Sequence, residues 1–155
     1  MASLTRVMEI KKRKLDVAKR EYRLAVEEVQ LREREYSSAK KQYMSHREWR
    51  ITEEAKRYKS IIDQVVQSKQ LDEIRSSIAS MYEEEASLSM KVLEAQKQLE
   101  KAQKRRDSCH EHVRQCLKNV EKYEHITAEI SASKNIAVER AAEETMDEFS
   151  STLKS

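Results

Sequence analysis

Soft metal ligands occur together at one point of the chain, where Cys109, His112 and Cys116 follow one another at spacings of three and four. On an α-helix these spacings bring side chains to one face, and thiolates and imidazoles are ligands that zinc prefers. A closed zinc site needs four ligands, and no fourth is apparent. We therefore favour the interpretation that both cysteines are small residues of a packing surface, and we expect no metal.

The sequence lacks the residue patterns of standard catalytic sites. Its 155 residues include no glycine and no proline, so a glycine-rich phosphate loop cannot form. The patterns H-E-x-x-H and C-x-x-C are also absent. We expect no enzyme activity and no cofactor, and we expect the protein to act through the partners that it binds.

The composition is that of long helices. Charged residues make up 38% and aromatic residues 5%, as in coiled coils, and the residues that form tight turns are missing. The 31 basic and 28 acidic side chains are interspersed and leave a net charge of +3, without the concentrated basic stripe of a nucleic-acid binder. No segment reaches the roughly 18 apolar residues that cross a bilayer. We expect a cytoplasmic protein that neither binds nucleic acid nor inserts into a membrane.

From Leu71 onward, apolar residues follow at alternating steps of three and four, which is the heptad repeat of a coiled coil. We call the positions that would face the partner helix the seam, and they form two rows. The first row is apolar throughout and contains Ile74, Met81, Leu88, Ala95, Ala102, Cys109, Cys116, Tyr123, Ile130 and Ala137. The second is less pure and contains Leu71, Ile78, Glu85, Val92, Leu99, Arg106, Val113, Val120, Thr127 and Lys134. An equivalent seam in the first half of the chain contains Leu4, Met8, Lys11, Leu15, Ala18, Tyr22, Ala25, Val29, Arg32, Tyr36, Ala39, Tyr43 and His46.

The seam of the first half is irregular after Tyr43. We expect a register shift there, with the next seam residues being Arg47, Ile51, Ala55, Tyr58, Ile62 and Val65. Trp49 lies off the seam in either register. Because tryptophan is common in binding hot spots, Trp49 is a candidate contact for a partner, and the alternative is that it folds over the helix at the shift.

The segment Gln67–Gln70 is the best candidate for a turn, with Ser68 as the helix N-cap and Asp72 and Glu73 in the first turn that follows. The predicted fold is all-α: one domain over residues 1–155, with two long helices in an antiparallel coiled-coil hairpin. Helix 1 covers about 4–66 and helix 2 about 70–149, and the acidic C-terminal tail frays. Contacting residues should have numbers that sum to about 137. The alternative is one continuous helix that pairs with a second molecule.

The segment from Trp49 to Glu54, followed after the turn by Ile78-Ala79-Ser80-Met81 with Glu83 and Ala86, resembles the YscO proteins of bacterial type III secretion. That resemblance implies a soluble, monomeric central stalk, similar in shape to the flagellar FliJ protein and the gamma subunit of rotary ATPases. Such a stalk lies at the cytoplasmic face of the inner membrane and links a hexameric secretion ATPase to the cytoplasmic domain of the export gate.

The resemblance also implies two groups of contact residues. Those that would contact the ATPase are Arg6, Lys11, Lys12, Arg13 and Lys14. Those that would contact the gate or a secretion chaperone are Trp49, Arg50, Ile51, Glu53 and Glu54. Two other functions stay open: an escort protein that binds and recycles translocator chaperones, and a structural coiled coil that dimerises.

Overall fold

A computed structural model describes residues 2–62, 65 and 67–154. It contains two α-helices, α1 (Ala2–Ile62) and α2 (Ser68–Lys154), and no strand occurs in the described part of the chain. Lys11, early in α1, contacts Tyr123, late in α2, whereas Arg50, late in α1, contacts Glu85, early in α2. The two helices therefore run antiparallel, and the predicted helical hairpin is confirmed.

The connection between the helices lies near the predicted turn but begins a few residues earlier. Ile62 is the last residue of α1 and Val65 is not helical; residues 63, 64 and 66, which the prediction assigned to helix 1, lie outside the described residues. The Gln67 carbonyl accepts hydrogen bonds from the amides of Gln70 (3.0 Å) and Leu71 (3.2 Å). Gln67 therefore holds the N-cap position, and Ser68, the predicted N-cap, is already helical.

The chain divides into two compact units, each built from a piece of both helices. The terminal unit consists of Met1–Tyr22 and Cys109–Ser155. Its core is formed by Leu15, Ala18, Cys116 and Val120, with Val113 packed against them. All five are predicted seam residues, so the heptad pattern located this core correctly.

The middle unit is Arg23–Ser108. Its buried residues are again predicted seam positions: Ala25, Val29, Ile78, Met81 and Ala102. In both units, the residue numbers of contacting pairs such as Tyr22 with His110 and Arg50 with Glu85 sum to 132–135, a little less than the expected value of about 137. This difference follows from the early end of α1, which moves the centre of the connection towards the N-terminus.

The predicted register shift after Tyr43 is wrong. All six residues assigned to the shifted seam, from Arg47 to Val65, are exposed. The side chains of His46, Arg50, Glu53 and Arg57 are instead partly buried, which continues the steps of three and four without a slip. The prediction followed the apolar residues, whereas the heptad of α1 is occupied here by polar ones.

The last part of α2 stays helical to Lys154. Every side chain from residue 131 to 153 is exposed. The fraying expected for the acidic tail stays a prediction. Neither α1 nor α2, over the residues described, contains a stretch apolar enough to span a bilayer.

Candidate partner-binding sites

Basic side chains without ion-pair partners cover the start of α1 in the terminal unit. Arg6, Lys12, Arg13 and Lys14 are exposed, and Lys11 lies with its ammonium 5.5 Å from the centre of the Tyr123 ring. None of the five is within ion-pair distance of a carboxylate in the described part of the chain. Their charge is therefore available to an acidic partner.

The second predicted site contains an ionic cluster between the helices of the middle unit, formed by Arg50 and Glu54 of α1 and Tyr82 and Glu85 of α2. The Arg50 Nε lies 2.6 Å from Glu85 Oε2, and Arg50 Nη2 donates to Glu85 Oε1 at 3.4 Å. Arg50 Nη1 donates to Glu54 Oε2 at 2.9 Å. The guanidinium thus holds one carboxylate on each helix.

Tyr82 closes this ionic cluster. Its hydroxyl accepts a hydrogen bond from Arg50 Nη1 (3.0 Å) and donates to the Glu54 carboxylate (2.9 Å to Oε2). The Arg50 guanidinium carbon also lies 4.4 Å from the centre of the Tyr82 ring, within cation–π range. The cluster therefore joins the helices by hydrogen bonds, charge and ring contact at one level of the seam.

Two pKa shifts follow from this geometry. The hydrogen bond from the Tyr82 hydroxyl to Glu54, together with partial burial, raises the pKa of Tyr82 above 10.0, although the Arg50 charge acts in the opposite direction. Partial burial lowers the pKa of Arg50, but the hydrogen bond and charge of Glu85 raise it further, so the net shift is upward. Both shifts favour the neutral tyrosine and the charged arginine that the cluster requires.

Of the five residues predicted to contact the gate or a chaperone, three are engaged in ion pairs and two are exposed. The side chains of Arg50 and Glu54 are only 12% and 22% exposed, because they pair within the ionic cluster, and Glu53 pairs with Arg57 at 3.3 Å. Trp49 and Ile51 are about half exposed. Direct contact with a partner is therefore open chiefly to Trp49 and Ile51.

Trp49 is exposed and partly packed at the same time. Its ring lies 5.5 Å from the His46 ring, centre to centre, and His46 Nε2 is 3.3 Å from Glu84 Oε2 of α2, without the alignment of a hydrogen bond. The indole therefore covers the histidine on its inner side and presents its outer side to solvent. Without a register shift, the alternative that Trp49 folds over the helix at the shift does not apply, and contact with a partner stays a prediction.

Three exposed apolar residues form a stripe along α1, outside the seam. It consists of Met44, Ile51 and Tyr58, seven residues apart and each between 44% and 52% exposed. On α2 of the same unit, Tyr82, Met90 and Leu93 are also exposed. The heptad spacing of Met44, Ile51 and Tyr58 is present in the sequence, but two of these residues were assigned to the seam. We call Met44, Ile51 and Tyr58 the outer stripe.

The cysteines lie in and beside the core of the terminal unit. Cys116 is buried and Cys109 half-buried, and the Cys116 Sγ is 3.7 Å from His112 Nε2. No group of three or more His, Cys, Asp or Glu side chains in the described part of the chain is arranged to hold a metal ion. Cys116 belongs to the apolar core of the terminal unit.

Comparison with known proteins identifies a family and a similar structure. The sequence pattern of the family described as type III secretion protein YscO matches residues 4–152. The crystal structure of the type III secretion protein YscO from Vibrio parahaemolyticus is similar with a TM-score of 0.87 and 26% identity, over 96% of this chain and 93% of that chain. No protein with a curated description is significantly similar in sequence.

Proposed function

Because this chain belongs to the YscO family of type III secretion proteins, we propose that it is the non-enzymatic central stalk of the export apparatus. In this role it binds and stimulates the hexameric secretion ATPase and links that ATPase to the cytoplasmic domain of the export gate. It works as a cytoplasmic protein at the secretion apparatus, on the cytoplasmic face of the bacterial inner membrane, and it needs no cofactor.

The observation that carries this proposal is the set of unpaired basic side chains in the terminal unit. Lys12, Arg13 and Lys14 are exposed and have no acidic partner in the described chain. Concentrated unpaired charge speeds encounter with an oppositely charged surface and selects against partners of like charge. An acidic surface on the ATPase subunits would be recognised in this way. Binding that favours one subunit arrangement would raise turnover by shifting the population towards it.

The proposal is tested by adding the protein to the ATPase of its own secretion system and measuring ATP hydrolysis and hexamer formation. We expect stimulation by the natural chain and loss of stimulation by the triple variant Lys12→Glu, Arg13→Glu and Lys14→Glu. The matched control reverses three exposed lysines of α2: Lys97→Glu, Lys101→Glu and Lys104→Glu. Equal stimulation by both triple variants would contradict the proposal.

A second function is favoured by the half-exposed Trp49. An escort protein would use this indole, together with the outer stripe, to bind the chaperones of secreted translocators, because aromatic side chains at the centre of a contact supply much of its binding energy. The variant Trp49→Ala separates the two functions. If the chain is an escort protein, Trp49→Ala should lose chaperone capture while ATPase stimulation persists. A stalk without escort function would capture no chaperone with or without this change.

A further inference from the structure

The exposed tail of α2 is an amphipathic helix. We define the tail as residues 131–153, all of whose side chains are exposed. Five of its apolar residues follow at steps of four, four, three and four, which places them on one side of the helix, while Ile136 lies off that side. The five are Val138, Ala142, Met146, Phe149 and Leu153, and the four large ones are 62% to 72% exposed.

Acidic side chains outnumber basic ones on the rest of the tail, where the basic residues are Lys134 and Arg140. Five carboxylates fall outside the apolar stripe, at Glu139, Glu143, Glu144, Asp147 and Glu148. None of these five takes part in an ion pair with a described residue. A surface suited to this helix would therefore be apolar along its middle and basic along its rim.

The terminal unit itself has such a surface. A groove of about 590 Å³ is lined by Ile10, Arg13, Lys14, Val17, Glu21 and His112. Ile10 and Val17 are seven residues apart and 45% and 48% exposed, so they form an apolar pair at heptad spacing. Arg13 and Lys14 supply unpaired positive charge beside them.

The tail cannot reach the groove of its own chain. Lys11 contacts Tyr123 across the helix pair, so the first residues of α1 lie opposite residues near 130 and the tail runs beyond the start of α1. Because α2 is unbroken to Lys154, folding the tail back would require a break in a helix that has none. A second copy of the chain has no such restriction.

We propose that two copies of this chain associate reciprocally, the tail of each docking into the Ile10 and Val17 groove of the other. Ala142 and Phe149 of the tail are seven residues apart, as Ile10 and Val17 are. The tail pair can therefore contact the groove pair over the same two turns of helix. Glu139 and Glu143 border the tail stripe on one side and face the basic rim. The contact is isologous and closes after two copies. It uses Arg13 and Lys14, which the proposed ATPase contact also uses, so the ATPase and a second copy would compete for these two residues. The dimer limits the expected monomer to dilute or high-salt solutions.

The mass in solution tests this dimer. We expect light scattering to give 18.3 kDa in dilute solution and a rise towards twice that mass as concentration increases at low salt. High salt should weaken the association because the rim charges are exposed. Phe149→Glu should abolish the rise. Phe149 is 62% exposed, so circular dichroism of this variant should be unchanged.

A charge exchange identifies the groove as the docking site. The double variants Arg13→Glu with Lys14→Glu, and Glu139→Lys with Glu143→Lys, should each remain monomeric because their own rims and tails repel. An equimolar mixture of the two should dimerise again, since both reciprocal contacts then join opposite charges. Lys104→Glu with Lys118→Glu, two exposed lysines outside the groove, should dimerise like the natural chain.

Three results would overturn the dimer: a mass of 18.3 kDa at every concentration, a dimer that survives Phe149→Glu, or no recovery in the mixture. A tail that binds only another protein would give the first result. A mass that keeps rising beyond that of two copies would contradict the reciprocal dimer and indicate head-to-tail association without closure. None of these measurements involves the ATPase, so a failure here leaves the proposed function to be judged by ATP hydrolysis.

Discussion

The core of the terminal unit and the ionic cluster of the middle unit occupy equivalent seam positions with opposite chemistry. Leu15, Ala18, Cys116 and Val120 bury apolar surface, whereas Arg50 and Glu85 place a charge pair in the same heptad frame. Apolar packing is non-directional and depends on area, so it selects a register less sharply than a directed contact does. A forked ion pair fixes one register, and at single seam positions that is the best attested use of polar residues.

The largest effect on stability is expected in the terminal core. Leu15→Ala should lower the free energy of unfolding by about 2–3 kcal/mol, because it removes buried methyl groups and leaves a cavity. Urea denaturation followed by circular dichroism measures this loss. Val17→Ala, on the exposed side of the same turn of α1, is the matched control and should cost much less. Equal losses would contradict the assignment of Leu15 to the core.

The ionic cluster should respond in a different way from the core. Arg50→Met leaves Glu85 and Glu54 without their shared cation in a half-buried position, so the midpoint of urea denaturation should fall. Adding Glu85→Leu should recover much of that loss, because the second change removes the unpaired charge and adds apolar seam surface. A double variant less stable than Arg50→Met alone would show that the cluster stabilises the hairpin beyond fixing its register.

The comparison also explains what the sequence could and could not predict. The seam of α2 was correct from Leu71 to Ile130, since apolar residues mark nearly every position. In α1 the heptad was lost where Arg50, Glu53 and Arg57 take seam positions, because the pattern follows apolar residues and Ile51 and Tyr58 offered a competing stripe. Only Glu85, an acidic interruption of the α2 seam, signalled in the sequence that a basic seam residue was needed opposite.

A smaller effect on stability is expected at the outer stripe. Ile51→Ser with Tyr58→Ser changes exposed side chains, so the free energy of unfolding should change by less than about 1 kcal/mol. Binding to the export gate or to a chaperone should weaken if the stripe is a docking surface. Pull-down from a mixture with each purified partner measures this, with Lys56→Ser as an exposed control on the same helix. Loss of stability similar to that of Leu15→Ala would instead place the stripe in a seam.

The smallest effect is expected in the titration of Tyr82. Its pKa is raised above 10.0, first by the hydrogen bond to Glu54, so the neutral phenol is favoured in the folded chain. The stabilisation is therefore complete below the pKa of the unfolded chain and is lost as pH rises through the higher folded value. The tyrosinate absorbance of the natural chain minus that of Tyr82→Phe isolates this group from the other tyrosines. Glu54→Gln should move its midpoint down, because a neutral amide no longer holds the hydroxyl proton against a carboxylate charge. An unmoved midpoint would mean that burial, and not Glu54, controls the Tyr82 hydroxyl, and the cluster would then be held by Arg50 and Glu85 alone.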